Sequence, residues 1–217
     1  MSRIAIAGAS GLIGQQAAEA LAHTGAEVHA ILRRQSLHFP ANIIQHTGAS
    51  DSWPTTVAKL GCDVAISCLG TTMRLAGSQE AFRGVDHDLV LAFAKAARNS
   101  GARHMICVSS VGAMPASSSF YLRTKAATEE SLRALGFDRL DILRPGLLTG
   151  GSRAQSRPGE SIGIMLAPIT DVLMLGPLHK YRSTPSLKVA KAITRLASSE
   201  GHGQFIHENS SINALAG

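Results

Sequence analysis

The sequence predicts an α/β fold, a doubly wound parallel sheet with helices on both faces, and three observations predict it. Short apolar runs alternate with segments of helical period through the first two thirds of the chain. The first run, Ile4-Ala5-Ile6-Ala7, meets glycines at 8, 11 and 14 and passes directly into an amphipathic segment. A length of 217 residues, with 45% apolar and 17% charged content, suffices for one large α/β core. Aromatics make up only 4%, so that core is aliphatic.

The elements follow in order. Arg3–Ala7 reads as the first strand. Leu12 to His23 carries the apolar stripe of a helix that ends near Gly25. Glu27–Leu32 is a second strand and Asn42–His46 a short third. A short helix ends in Val57-Ala58-Lys59-Leu60, with Asp51 and Ser52 as capping candidates. Asp63–Leu69 is a fourth strand. Helical period returns over Ser78–Asn99, where Val85, Leu89, Phe93 and Ala97 recur at i, i+4 on one face, and Gly101 stops it. His104–Val108 is a fifth strand, Tyr121–Leu135 a helix with Gly136 beyond it, and Arg139–Leu143 a sixth strand. Residues 146–184 are less regular, rich in Gly, Pro, Ser and Arg, with a short helix expected at Ser161–Leu166. A helix fits Ser186–Ala197, and Gln204–His207 is a late strand. No repeat or linker divides the chain. The expected division is one domain over 1–217, with 146–184 as its irregular substrate or partner segment.

Composition excludes several classes. The net charge is +6, from 21 Lys and Arg against 15 Asp and Glu. Basic residues run no longer than pairs and do not interleave with aromatics, which describes a solvated surface and no nucleic-acid interface. Cys62, Cys68 and Cys107 lie in or beside apolar runs and form no CxxC, which suits a reducing compartment. The nine histidines show no ligand spacing, so no metal is expected. The apolar stretch near Ile162–Leu175 is broken by Pro168 and Asp171 and is no membrane span. Gly8 interrupts the first apolar run, so no secretory signal is read. These readings together predict a cytoplasmic protein.

The glycine turn is the first element with chemistry in it. Backbone N–H groups at a helix N-terminus point outward unpaired, and glycines let phosphates approach them without a Cβ in the way. Gly8, Ser10, Gly11, Leu12, Ile13 and Gly14 are therefore the expected pyrophosphate-binding residues. An acidic residue often follows such a turn by about 20 residues and takes a ribose 2′-hydroxyl. Here the second strand ends instead in Arg33-Arg34. Guanidinium forks suit a 2′-phosphate, so NADP(H) is expected over NAD(H), which stays possible. Cys68, Leu69, Gly70 and Thr71, at the carboxyl end of the fourth strand, are expected beside the adenosine and ribose.

Tyr121-Leu122-Arg123-Thr124-Lys125 places a phenol and an ammonium four residues apart, on one helix face. An adjacent ammonium makes a phenol a usable acid or base and also reaches ribose hydroxyls. Upstream lies Val108-Ser109-Ser110-Val111-Gly112, whose hydroxyls can donate to a carbonyl oxygen. Ser117-Ser118-Ser119 offers rival hydroxyls that suit capping of the next helix.

The glycine turn, Ser109-Ser110, Tyr121-x-x-x-Lys125 and Arg144-Pro145-Gly146 resemble the short-chain dehydrogenase/reductase superfamily. The stretches Cys68–Thr72 (CLGTT), Ser109–Ala113 (SSVGA), Phe137–Arg139 (FDR) and Arg157–Glu160 (RPGE) are similar to its atypical Tat-interacting oxidoreductase-like branch. The resemblance runs from residue 3 to about 195. It implies a Rossmann-like fold and NADP(H), with Ser110 orienting a carbonyl, Tyr121 as acid/base, and Lys125 binding ribose and tuning Tyr121. Pro145, Gly146, Leu147 and Leu148 would flank the nicotinamide. Two departures stand out. Asp86 occupies the place where the superfamily usually has an Asn, and Val111-Gly112 stands where sugar-nucleotide dehydratases have an acidic pair. The expected activity is NADP(H)-dependent reduction of a small carbonyl compound, with Arg153 and Arg157 as substrate contacts. The alternative is a non-enzymatic NADP(H)-binding sensor that acts through a protein partner. A homodimer is a base-rate expectation.

Overall fold

In the computed structural model, residues 1–150 and 181–217 are described. Seven parallel strands form one sheet: β1 (Arg3–Ala7), β2 (Glu27–Leu32), β3 (Ile43–Thr47), β4 (Val64–Ser67), β5 (His104–Val108), β6 (Arg139–Leu143) and β9 (Gly203–His207). Their order is β3-β2-β1-β4-β5-β6-β9. The chain reverses direction across the sheet beside β1, and in a Rossmann-like fold the carboxyl edge at that point is the ligand crevice.

Both faces of the sheet are covered, which explains the continuous apolar runs. Ile4, Ile6, Val28, Ala30, Ile66 and Ile106 pack against α1 (Leu12–Ala22) and α7 (Ser186–Ala197). Ala5, Ala7, Ile31, Ala65 and Met105 face Trp53 and Val57 of α2 (Trp53–Leu60) and Val90, Phe93 and Ala97 of α5 (Val90–Asn99). Successive strand residues thus feed opposite cores, with period two.

Three expectations are corrected. The fourth strand is Val64–Ser67, and the chain leaves the sheet at Cys68 to build the loop described below. Ser52 does not cap α2, because its hydroxyl donates to the Ala49 carbonyl at 2.7 Å. The helix expected over 78–99 is broken into α4 (Gln79–Arg83), a π turn (Gly84–Leu89) and α5. The π turn inserts an extra residue into the helical repeat. Asp86 and His87 are buried there, whereas Val85 and Leu89 are only half-buried. Two short helices carried no signal long enough to read: α3 (Met73–Ala76), capped by Thr72, and α8 (Asn209–Leu215). Of the irregular segment, a two-residue ladder pairs β7 (Leu148–Thr149) with β8 (Thr184–Pro185). The helix expected at Ser161–Leu166 lies outside the described residues, as do Arg153 and Arg157.

Candidate active site

The predicted residues gather along the carboxyl edge of the sheet, in loops that touch one another in sequence. Gly8, φ +80°, closes the turn after β1, and the Gly11 N–H donates to its carbonyl at 3.0 Å. A Cβ at Gly8 would come within 2.6–2.7 Å of the backbone at Cys68 and Leu69. A Cβ at Gly14 would collide with the Gly8 carbonyl oxygen. The glycines are therefore required by the packing of the turn itself, and they leave Ser10 and Gly11 exposed at the start of α1. That is the cradle a pyrophosphate needs, and the chain fits a dinucleotide there.

The loop after β4 forms the next link. Leu69 is buried and Gly70 exposed. A Cβ at Gly70 would stand 3.6 Å from Asp86 Oδ1 and 3.7 Å from Lys125 Nζ, so the missing side chain is a notch above an ion pair. Lys125 lies on α6 (Phe120–Arg133), which Ser119 caps by accepting from the Leu122 N–H. Its Nζ is 2.8 Å from Asp86 Oδ1. The other Asp86 oxygen accepts from the Thr71 N–H at 2.8 Å, and the Asp86 carbonyl accepts from Thr128 Oγ1 at 2.8 Å. Burial pulls the Lys125 ammonium down, but the Asp86 carboxylate and then Tyr121 outweigh it, and the net shift is upward. Lys125 is a cation here, with donors left over for a ligand at the notch. Tyr121, one turn earlier and half-buried, packs its ring on Phe82 at 5.6 Å between centroids.

The two serines separate clearly. Ser109 is buried and donates to Glu129 Oε1 at 2.6 Å. Glu129, 1% exposed, also accepts both arms of the Arg144 fork and is reached by Arg133 at 3.4 Å. Ser109 is thus committed to a junction joining the ends of β5 and β6 to α6. Ser110 is half-buried, and among the described residues its hydroxyl reaches only the neighbouring Val111 carbonyl, at 3.3 Å. The Val111 N–H donates to Pro145 at 3.0 Å, so the loop after β5 is tied to the segment after β6. Gly146 in that segment has no room for a Cβ against the Arg182 carbonyl, and Leu147 and Leu148 continue from it into β7.

Two cysteines in this region are excluded as nucleophiles. Burial pushes the Cys68 and Cys107 thiols up to about 12, so neither supplies thiolate near neutrality. Arg33 and Arg34 sit just past β2, both exposed, and form no ion pair among the described residues.

A family model described as NAD(P)H-binding matches residues 8–163, which take in the glycine turn, the Gly70 notch and the Tyr121–Lys125 helix. The chain belongs to the NAD(P)H-binding family. Within it, the chain is similar to Protein FMP52, mitochondrial, of Eremothecium gossypii, with 39% identity covering 76% of this chain and 75% of the relative. It is also similar to rat Protein HTATIP2, 46% identical over 46% of this chain and 40% of the relative. Among solved structures, the human epimerase family protein SDR39U1 with NADPH superposes with a TM-score of 0.64 at 21% identity, covering 95% of this chain and 74% of that one. The likeness to HTATIP2 bears out the branch that the sequence motifs suggested, and the parallel sheet bears out the fold class. The cytoplasmic location is overturned, since the FMP52 relative is mitochondrial by name. The spacing of the cysteines, from which a reducing compartment was read, does not distinguish one organelle from another.

Asp86 and Glu129 are the site residues that sequence reasoning passed over as participants. Asp86 was visible only as a departure from a family pattern. Glu129 sits one turn beyond Lys125, a spacing that marks the face of α6 it shares with the site.

Proposed function

We propose that the protein is an NADP(H)-dependent oxidoreductase that reduces a small carbonyl compound at Ser110, Tyr121 and Lys125. The observation that supports this most is the notch at Gly70, where the cofactor-binding loop and the ammonium of a Tyr-x-x-x-Lys helix meet. NADPH, when bound, supplies the hydride. Ser110 donates a hydrogen bond to the substrate oxygen and orients the carbonyl. Tyr121 gives its proton to that oxygen as the carbon becomes tetrahedral, and solvent restores the phenol. Lys125 offers its remaining N–H donors to ribose hydroxyls through the notch. Pro145, Gly146, Leu147 and Leu148 flank the nicotinamide side. Arg33 and Arg34 hold the 2′-phosphate, which selects NADP(H) over NAD(H).

The test is NADPH oxidation against a panel of aldehydes and ketones, with Tyr121→Phe alongside. The substitution should lower kcat by about 100-fold or more, while the NADPH dissociation constant measured by fluorescence stays unchanged. Tight NADPH binding with no turnover across the panel would replace this reading by that of a cofactor sensor.

A further inference from the structure

We propose that Asp86 is a positioning residue that holds the Lys125 ammonium beneath Gly70 and neutralises it, so that the Tyr121 phenol faces an ion pair instead of a bare cation. The inference rests on the roles given to Tyr121 and Lys125 above and adds a role for the carboxylate beside them. Fixation comes first. Asp86 is fully buried and is held from three elements: the π turn that carries it, the Thr71 N–H of the loop after β4, and Lys125 and Thr128 of α6. Each carboxylate oxygen has a partner, and the backbone carbonyl is held by Thr128. The π turn is what aims it, because a regular helical repeat would turn residues 85 and 89 toward the sheet in its stead.

Among the described residues, the groups near the phenol come from several elements. From its own helix, Lys125 faces Tyr121, and one turn further on Glu129 has its charge taken up by Arg144 and Arg133. From β5, Cys107 faces Lys125 as a neutral thiol. From α4, the Phe82 ring packs on Tyr121. From the stretch before β8, the Tyr181 ring lies on Gly112 beside Leu122. From the π turn comes Asp86, whose charge lies 2.8 Å from the ammonium. His87 on the same turn is engaged by Asp88 and Ser131. A cation with an anion at contact distance acts on a third group as a dipole, far more weakly than alone.

The chain contains only two tyrosines, which makes the test direct. In a Tyr181→Phe background, Tyr121 is the sole phenol, and tyrosinate absorbance against pH reads its ionisation without any substrate. Asp86→Asn, which keeps an acceptor for the Thr71 N–H, should move the midpoint down by about one pH unit. The alkaline limb of the NADPH-dependent reduction rate should move down with it. Should Asp86→Asn alone fail to fold, as judged by circular dichroism, Asp86→Asn/Lys125→Met leaves no buried charge unpaired. Its midpoint is then compared with that of Lys125→Met and should lie lower. A midpoint that Asp86→Asn leaves in place or raises, or equal midpoints in the second comparison, would overturn the proposal. Failure of the carbonyl panel with a shifted midpoint would remove the proposed activity and leave this inference standing.

Discussion

Two carboxylates, Asp86 and Asp141, are both fully buried in this molecule, and they are used in opposite ways. Asp141, in the middle of β6, is saturated. It accepts from His104 of β5 and His207 of β9 at 2.7 Å each, and from Arg139 at 2.6 and 3.1 Å. Arg139 in turn donates to the Glu200 carbonyl at 2.7 Å and lies over the Phe205 ring at 4.6 Å. This network stitches the edge strand β9 to the sheet. Asp86 meets one ammonium and one backbone N–H, and that ammonium borders an open notch. A buried carboxylate whose oxygens are all taken by protein donors has nothing to offer a ligand; an ammonium with donors left over does. The arginines show the same division. Arg139 gives all three of its nitrogens to Asp141 and the Glu200 carbonyl, while Arg33 and Arg34 have no ion-pair partner among the described residues.

The comparison is broken most severely at Asp141. Asp141→Asn leaves Arg139 without its buried anion and should cost about 3 kcal/mol of unfolding free energy, while NADPH affinity stays unchanged. Burial by itself would raise the Asp141 carboxyl; the hydrogen bonds from His104, His207 and Arg139 outweigh it and hold it well below the usual carboxylate range. A depressed carboxyl stabilises the fold above its unfolded-state value of about 4 and loses that contribution as the pH falls. Urea denaturation at pH 7 and in the acid range should therefore show the gap between parent and variant closing on acidification. A constant gap would mean that Asp141 acts by packing alone.

At the site end the expected effects fall on ligands. Replacing both Arg33 and Arg34 by Ala should weaken NADPH by about 30-fold, the worth of one lost charged hydrogen bond at ~2 kcal/mol, and leave NADH unchanged in a paired titration. Gly70→Ala sharpens the contrast further. Its Cβ meets Asp86 and Lys125 at ordinary contact distances, so the melting temperature should hold. NADPH affinity should fall about tenfold because the notch is filled. The smallest effect is expected from Ser109→Ala, a loss of about 1 kcal/mol of stability from the Glu129 junction. Its turnover should fall far less than that of Ser110→Ala; equal losses would assign the two serines the other way.

Much of this was legible along the chain. All seven strands of the sheet were read from the chain, and the central ones are apolar because both faces of a covered parallel sheet demand it. The glycine turn and the Tyr121-x-x-x-Lys125 pair are written within fourteen and five residues, and their spacing alone puts them on a turn and on one helix face. Other features resisted because they are relations between distant segments. Ser109 and Ser110 are indistinguishable neighbours until Glu129, twenty residues on, takes one of them. The 78–99 stretch keeps a helical period throughout, so no local pattern announces the π turn.

The chain's local chemistry thus determined its sheet strands, its glycine turn and the Tyr121–Lys125 pair. Tertiary structure alone decided which buried charges meet. Asp86 finds Lys125 across 39 positions and Asp141 finds His207 across 66. Periodicity and propensity act over a turn or two, whereas the partner of a buried charge is fixed only when separate elements pack and water is excluded between them.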